Sequence, residues 1–225
     1  MTSPLVVADN VSRTYGQGSA SMVAVHGASC KLKAGERVAL VGPSGSGKST
    51  LLHLLAGLDT PTAGRVEWPQ LGSPSTWAAG TVGVIFQGPS LMPDLDVAEN
   101  VALPLILGGR TDKEALARAR RALADLGLEE LAGKLPEELS GGQAQRVAVA
   151  RSLIGEPRLI LADEPTGQLD HVTANFIIDV LCDAAGRLGA GLIVSTHDPV
   201  IVDKLTVHWE MVDGRPLMTD EPSRP

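Results

Sequence analysis

Residues 42 to 50 read Gly42-Pro43-Ser44-Gly45-Ser46-Gly47-Lys48-Ser49-Thr50, directly after the apolar run Val38-Ala39-Leu40-Val41. Residue types at this spacing hold polyphosphate. The glycines let backbone N–H groups turn inward and come close to phosphate oxygens, and the start of the following helix adds unpaired N–H groups and a positive dipole end. Lys48 supplies a point charge for the β and γ phosphates, and the Ser49 hydroxyl is of the type that ligates Mg²⁺. A flexible turn matching Gly-x-x-x-x-Gly-Lys-Ser/Thr by accident arises in about one chain in a hundred of this size. The strand-loop-helix context makes the accident rarer still.

A second set of chemical groups lies far along the chain. Leu159-Ile160-Leu161-Ala162-Asp163-Glu164 places two carboxylates at the end of an apolar run, and Pro165 keeps a helix from starting at once. Beside a phosphate loop, Asp163 is suited to hold Mg²⁺ through water and Glu164 to take a proton from an attacking water. Alone, the pair would read equally well as a solvated acidic turn. Ser140 and Gln143 form an ordinary capping box, but that does not explain Gly141 and Gly142 between them. Each glycine costs up to about 1 kcal/mol inside a helix, so two in the first turn imply close approach to the backbone. A helix start favours an anion there.

These groups need a frame that carries strand ends and helix starts to one place. Leu5-Val6-Val7, Met22 to Val25 and Val38 to Val41, with a turn at Lys33-Ala34-Gly35-Glu36, read as strands and hairpins leading to the loop. A helix is expected from Lys48 to Ala56, ending at Gly57, and a strand from Thr81 to Phe86. Capping patterns at Asp96/Glu99, Thr111/Glu114 and Ser140/Gln143 then mark a helical insertion over 88–157. Leu159 to Ala162 and Leu192 to Ser195 are short, wholly apolar runs of the type central to a parallel sheet, with a helix from about Val172 to Leu188 between them. Alternating strands and helices define an α/β fold. One domain spanning 1–225 is expected, with the core in 1–87 and 158–219 and a frayed tail at 220–225.

The 225 residues carry a net charge of −7 and only 3% aromatic residues, which argues against a nucleic-acid partner. Cys30 and Cys182 lack metal-ligand spacing and read as buried thiols of a reducing cytoplasm. No export signal and no membrane-spanning run is found.

The phosphate loop, the Leu139 to Gln143 stretch and the Asp163-Glu164 pair, in this order, resemble the ATP-binding subunit of an ABC transporter. The resemblance implies a phosphate-loop cassette with a mainly parallel core sheet, an N-terminal antiparallel part and a helical subdomain. It also implies ATP and Mg²⁺ as cofactors, with Ser49, Gln87 and Asp163 at the metal. Leu139 to Gln143 corresponds to the signature, which reaches the γ-phosphate held by the other copy of a head-to-tail dimer. Gln87 matches the glutamine that senses Mg²⁺ and water, and His197 the switch histidine on the γ-phosphate. Tyr15 matches an aromatic residue that stacks on adenine, and Asp170 a loop that communicates across the dimer. His53 is read as structural.

The stretches Leu51 to Asp59 and Ala162 to Asp170 are most similar to the branch serving lipoprotein release, macrolide export and a cell-division complex. Gln168 and His171 depart from that branch, and Pro69 to Gly80 is short and lacks basic residues. The implied partners are a second ATP-binding subunit, the same chain or another, and a separate membrane permease. The permease would dock over Pro89 to Leu107, where Leu91, Met92, Pro93 and Leu95 line a groove or else belong to the helical core. The chain would then sit on the cytoplasmic face of the membrane. An ABC ATPase regulating a non-transport complex is the alternative, and a small phosphate-loop kinase is disfavoured by the signature and His197.

Overall fold

The computed structural model describes residues 3–219; the expected frayed tail at 220–225 lies outside the described residues. Strands β1 (Val6–Tyr15), β2 (Met22–Leu32) and β4 (Ala63–Glu67) form an antiparallel sheet in the order β2-β1-β4. Strands β3 (Arg37–Val41), β5 (Val82–Ile85), β6 (Leu159–Asp163), β7 (Gly191–Ser195), β8 (Val207–Val212) and β9 (Arg215–Thr219) form the larger sheet. Its order is β5-β6-β7-β3-β8-β9, parallel except for the β8–β9 hairpin.

Consecutive residues of a strand point to opposite faces, and here both faces of the large sheet are covered. Leu159, Leu161, Ile193, Val38 and Leu40 join one buried cluster with the antiparallel sheet and helix α1 (Lys48–Leu55). Ile160, Ala162, Leu192, Val194 and Ala39 join a second, under α5 (His171–Leu188) and α6 (Pro199–Val202). This double coverage is why β6 and β7 read as unbroken apolar runs. Leu51, Leu52, Leu54 and Leu55 of α1 are all buried, each contributing about 1.5–3 kcal/mol of hydrophobic stabilisation.

Three helices, α2 (Val97–Leu107), α3 (Asp112–Asp125) and α4 (Gly141–Leu153), close a third cluster around Val101, Ala119, Leu123 and Val147. All three begin at the capping boxes expected from the sequence. The chain from β5 into α2 is held by two side chains. Asn100, fully buried, donates to the carbonyls of Met92, Leu95 and Asp96 and accepts from the Met92 N–H. Arg151, whose pKa burial lowers, donates to the carbonyls of Pro89 and Ser90. Leu91 packs on the helical cluster, whereas Met92 is exposed, so the apolar stretch divides between core and surface.

Strand β4, helix α6 and the β8–β9 hairpin fall outside the runs read from the sequence. Strand β4 buries little: only Val66 of its residues is even half-buried. The β8–β9 hairpin turns at Asp213 and Gly214, both at positive φ. Asp-Gly between alternating apolar residues is the signal for that turn. Cys30 and Cys182 are buried free thiols, and burial pushes the Cys30 pKa up to about 12.

The end of α4 rests directly on β5 at Gly83, where an added Cβ would lie 2.6 Å from the Ser152 carbonyl oxygen and 3.2 Å from Pro157. Gly83→Ala is therefore expected to destabilise the protein by about 1–3 kcal/mol. A lowered urea midpoint with unchanged slope checks this, and an unchanged midpoint contradicts the packing argument.

Candidate active site

The register of the large sheet assembles the site. Leu40 on β3 lies opposite Ser195 on β7, which lies opposite Asp163 on β6. Neighbouring strands are about 4.8 Å apart, so the three stand in one row at the carboxyl edge, where ligands bind in open α/β sheets. Ile85 pairs with Ala162, so the chain leaving β5 toward the exposed Gln87 emerges at the same edge.

The phosphate loop leaves this row at Gly42. A Cβ on Gly42 would lie 2.5 Å from the Met211 carbonyl oxygen, and one on Gly47 would lie 2.1 Å from that of Ala24. Gly47 also has φ +98°, which any larger residue would adopt only with strain. The loop is thus clamped at both ends by backbone of the two sheets. Its crest is open: a Cβ on Gly45 would meet nothing within 4 Å, and Pro43, Ser44 and Ser49 are exposed, with Thr50 half-buried.

Within the loop, buried Lys48 donates to the carbonyls of Gly42 at 2.8 Å and Pro43 at 3.0 Å. The Ser46 hydroxyl is buried and finds no hydrogen-bond partner among the described residues. An ammonium facing the loop interior, an unpaired hydroxyl and clamped glycines fit a polyphosphate.

Glu164 meets this loop from the other side. Its Oε1 lies 3.9 Å from Lys48 Nζ and 3.9 Å from His197 Nδ1. Glu164 has φ +42°, a left-handed conformation that costs a residue with a side chain about 1–3 kcal/mol. Buried Asp163 accepts a 2.6 Å hydrogen bond from the Ser195 hydroxyl. No group of three or more His, Cys, Asp or Glu suited to a metal occurs among the described residues. The donors at hand are the Asp163 carboxylate and the Ser49 hydroxyl, a set that fits Mg²⁺, which takes few protein ligands and keeps water and phosphate oxygens.

Ser140 to Gln143 lie elsewhere. The capping box is formed, with the Gln143 N–H donating to Ser140 Oγ and the Ser140 N–H to Gln143 Oε1. A Cβ on Gly142 would touch Thr173 and Leu169, and one on Gly141 nothing within 4 Å. The neighbours of this helix start are thus the Asp170 loop and the start of α5. Asp170 caps α5 through the N–H groups of Val172 and Thr173 and the Thr173 hydroxyl. Those bonds, the Thr173 N–H foremost, lower its pKa. The stabilisation they give is present above the ordinary carboxylate range and is lost as pH falls through the depressed value.

Tyr15 stands at the end of β1, cross-strand from Met22 and thus two residues from Ala24, which abuts the phosphate loop. Its hydroxyl donates to Asp59 at 2.8 Å, Asp59 is paired with Arg13 at 2.8 Å, and the Arg13 guanidinium lies 4.6 Å from the ring centroid. Burial pushes the Asp59 pKa up, but the bonds from Tyr15, Thr60 and Arg13 outweigh it and the net shift is downward. His53 and Phe86, both half-buried, pack with ring centroids 5.8 Å apart. Two groups at the site escape the sequence: Ser195, which looks like the end of an apolar strand, and Asp59, which lies in a turn.

A parallel sheet with a phosphate loop at its carboxyl edge and an acidic strand end beside it defines a nucleotide-binding α/β ATPase class. Residues 25–167 match the family described as ABC transporter, and the chain belongs to that family. Among solved structures, the dimeric ATP-binding cassette MJ0796 in a post-hydrolysis state with ADP and Pi is 36% identical, with a TM-score of 0.85, covering 94% of this chain and 96% of that one. A second dimeric structure of MJ0796, a bacterial ABC transporter cassette, matches at the same identity and coverage with a TM-score of 0.86.

Lys48→Ala removes the one side-chain charge inside the loop, and loss of a charge-assisted bond worth about 1.5–3 kcal/mol should weaken ATP binding roughly tenfold or more. Calorimetric titration with ATP checks this; an unaltered dissociation constant would refute the role.

Proposed function

We propose that this chain is an ATP-hydrolysing subunit that closes head-to-tail with a second ATP-binding subunit around ATP and Mg²⁺ and drives a separate membrane permease. The observation that carries this reading is the division of the phosphate-binding surfaces. Lys48 and Glu164 meet at one place, while the Ser140 to Gln143 helix start, with open space over Gly141, lies beside the Asp170 loop. A second chain placing its own helix start over the first chain's loop would complete two sites at once. That MJ0796 is dimeric supports the pairing of two such subunits.

In this reading Lys48, the loop N–H groups and the partner's Ser140 to Gln143 segment neutralise the γ-phosphate, and Tyr15 carries the adenine. Ser49, Asp163 and Gln87 would hold Mg²⁺, which would supply charge neutralisation to the phosphates. Glu164 accepts the proton of the attacking water and His197 donates to the γ-phosphate. Closure follows ATP binding and reverses once the γ-phosphate contacts are gone. Residues 88–157 form the helical subdomain that passes this motion to the permease, and Met92 and Leu107 within it are exposed.

No described helix is long and apolar enough to cross a membrane, so bilayer passage falls to the permease, with this chain on its cytoplasmic face. The motifs at Leu51 to Asp59 and Ala162 to Asp170 favour an exporter or lipoprotein-handling system.

Glu164→Gln should bind ATP, form a stable ATP-dependent dimer by light scattering, and hydrolyse about 10²- to 10⁴-fold slower; wild-type turnover would remove Glu164 as the base. Tagged Glu164→Gln protein, captured from detergent-solubilised membranes with ATP and Mg²⁺, should bring down a multi-span permease. Recovery of division-complex proteins without one would replace the transport reading. Tyr15→Ala should weaken ATP binding about fivefold while leaving tripolyphosphate binding intact, since stacking is worth about 1 kcal/mol. Equal ATP affinity for the two proteins would take adenine away from Tyr15.

A further inference from the structure

Ser195 ends the apolar strand β7 and is fully buried. Its preceding residues Leu192, Ile193 and Val194 serve the two sheet clusters. A buried hydroxyl in such a strand is costly unless it is bonded, and a β-branched apolar residue would suit the pleat better. The Ser195 hydroxyl is bonded twice. It donates its one proton to Asp163 Oδ1 at 2.6 Å and accepts the Glu164 N–H at 2.8 Å, while the Ser195 carbonyl oxygen also receives that N–H at 3.2 Å. One side chain thus touches the carboxylate of the first acidic residue and the backbone of the second.

The two bonds have different consequences. Donation to Oδ1 fixes the rotation of the Asp163 carboxylate and leaves Oδ2 free of this bond. Holding the Glu164 N–H secures the peptide that turns the chain to φ +42°, the conformation in which Glu164 Oε1 sits 3.9 Å from both Lys48 and His197. Without the hydroxyl, that peptide keeps only the longer bond to the carbonyl oxygen, and a strained backbone relaxes where its restraints are weakest.

We propose that Ser195 is a positioning residue for ATP hydrolysis, orienting Asp163 for the metal and Glu164 for the water, and acting on turnover and metal affinity but not on nucleotide affinity. The proposal rests on the roles given above to Asp163 and Glu164.

The test uses the near-isosteric pair Ser195→Thr and Ser195→Val in the full chain, which differ in the hydroxyl alone, so packing cost is shared between them. Three quantities are read: turnover at saturating ATP, affinity for a non-hydrolysable ATP analogue, and Mn²⁺ affinity in the presence of that analogue by electron paramagnetic resonance. Ser195→Val should slow turnover about ten- to hundredfold, the scale expected for losing a bond to a charged group. It should also weaken Mn²⁺ binding severalfold and leave analogue affinity within twofold. Ser195→Thr should restore turnover to within about threefold of the native protein.

Turnover of Ser195→Val near the native rate overturns the proposal. So does an equally slow Ser195→Thr, which makes the effect one of packing, and so does a parallel loss of analogue affinity. Failure of the underlying roles shows separately, as native turnover in Glu164→Gln. In that background Ser195→Val should slow the residual rate by less than it slows the native protein, the remaining effect and the loss of Mn²⁺ affinity both acting through Asp163.

Discussion

Everything at the site depends on the parallel register that sets Leu40, Ser195 and Asp163 side by side across β3, β7 and β6. A slip of one residue in any of these strands would exchange its two faces. A slip of β6 or β7 would turn Leu161 or Ile193 out of the cluster and part Asp163 from Ser195. Because both faces of the sheet are packed, such a slip is prohibitively costly, and the row of strand ends is accordingly rigid. The phosphate loop, the acidic pair and His197 are short extensions from that row.

The second constraint is the seating of the phosphate loop between the two sheets. Gly42 sits against Met211 of β8 and Gly47 against Ala24 of β2, each too close for any side chain. The glycines therefore do two jobs, conformational at Gly47 and steric at both positions. The same contact links the loop to the β1–β2 ladder that ends in Tyr15 and Met22. Tyr15 and the phosphate loop are thus tied to the same ladder, which fixes the spacing between them. Asp59 adds a tie from the turn after α1 to Tyr15 and Arg13.

The helical part is joined differently. Asn100 and Arg151 spend their side-chain hydrogen bonds on loop carbonyls between residues 89 and 96, just after Gln87. The chain leaving the site is thereby bonded to α2 and α4. The Ser140 helix start belongs to the same unit, so its position relative to the sheet row follows the packing of α4 on β5 and α5.

The sequence alone determined the groups whose function depends on local chemistry. A phosphate loop works through adjacent N–H groups and one lysine, capping boxes act over three residues, and a doubly covered strand must be apolar throughout; each leaves its mark within a few consecutive positions. Hence residues 42–50, the helix starts at Asp96, Thr111 and Ser140, and strands β6 and β7 were readable. Strand β4 was not, because an edge strand with little buried surface carries almost no apolar pattern. Only the tertiary structure decided which distant groups meet. Ser195 lies 32 residues from Asp163 in sequence and Asp59 lies 44 from Tyr15, and neither type nor neighbours distinguish these two from a strand end and a turn. Strand order and register bring them together, and those are set by the whole core rather than by any segment of it.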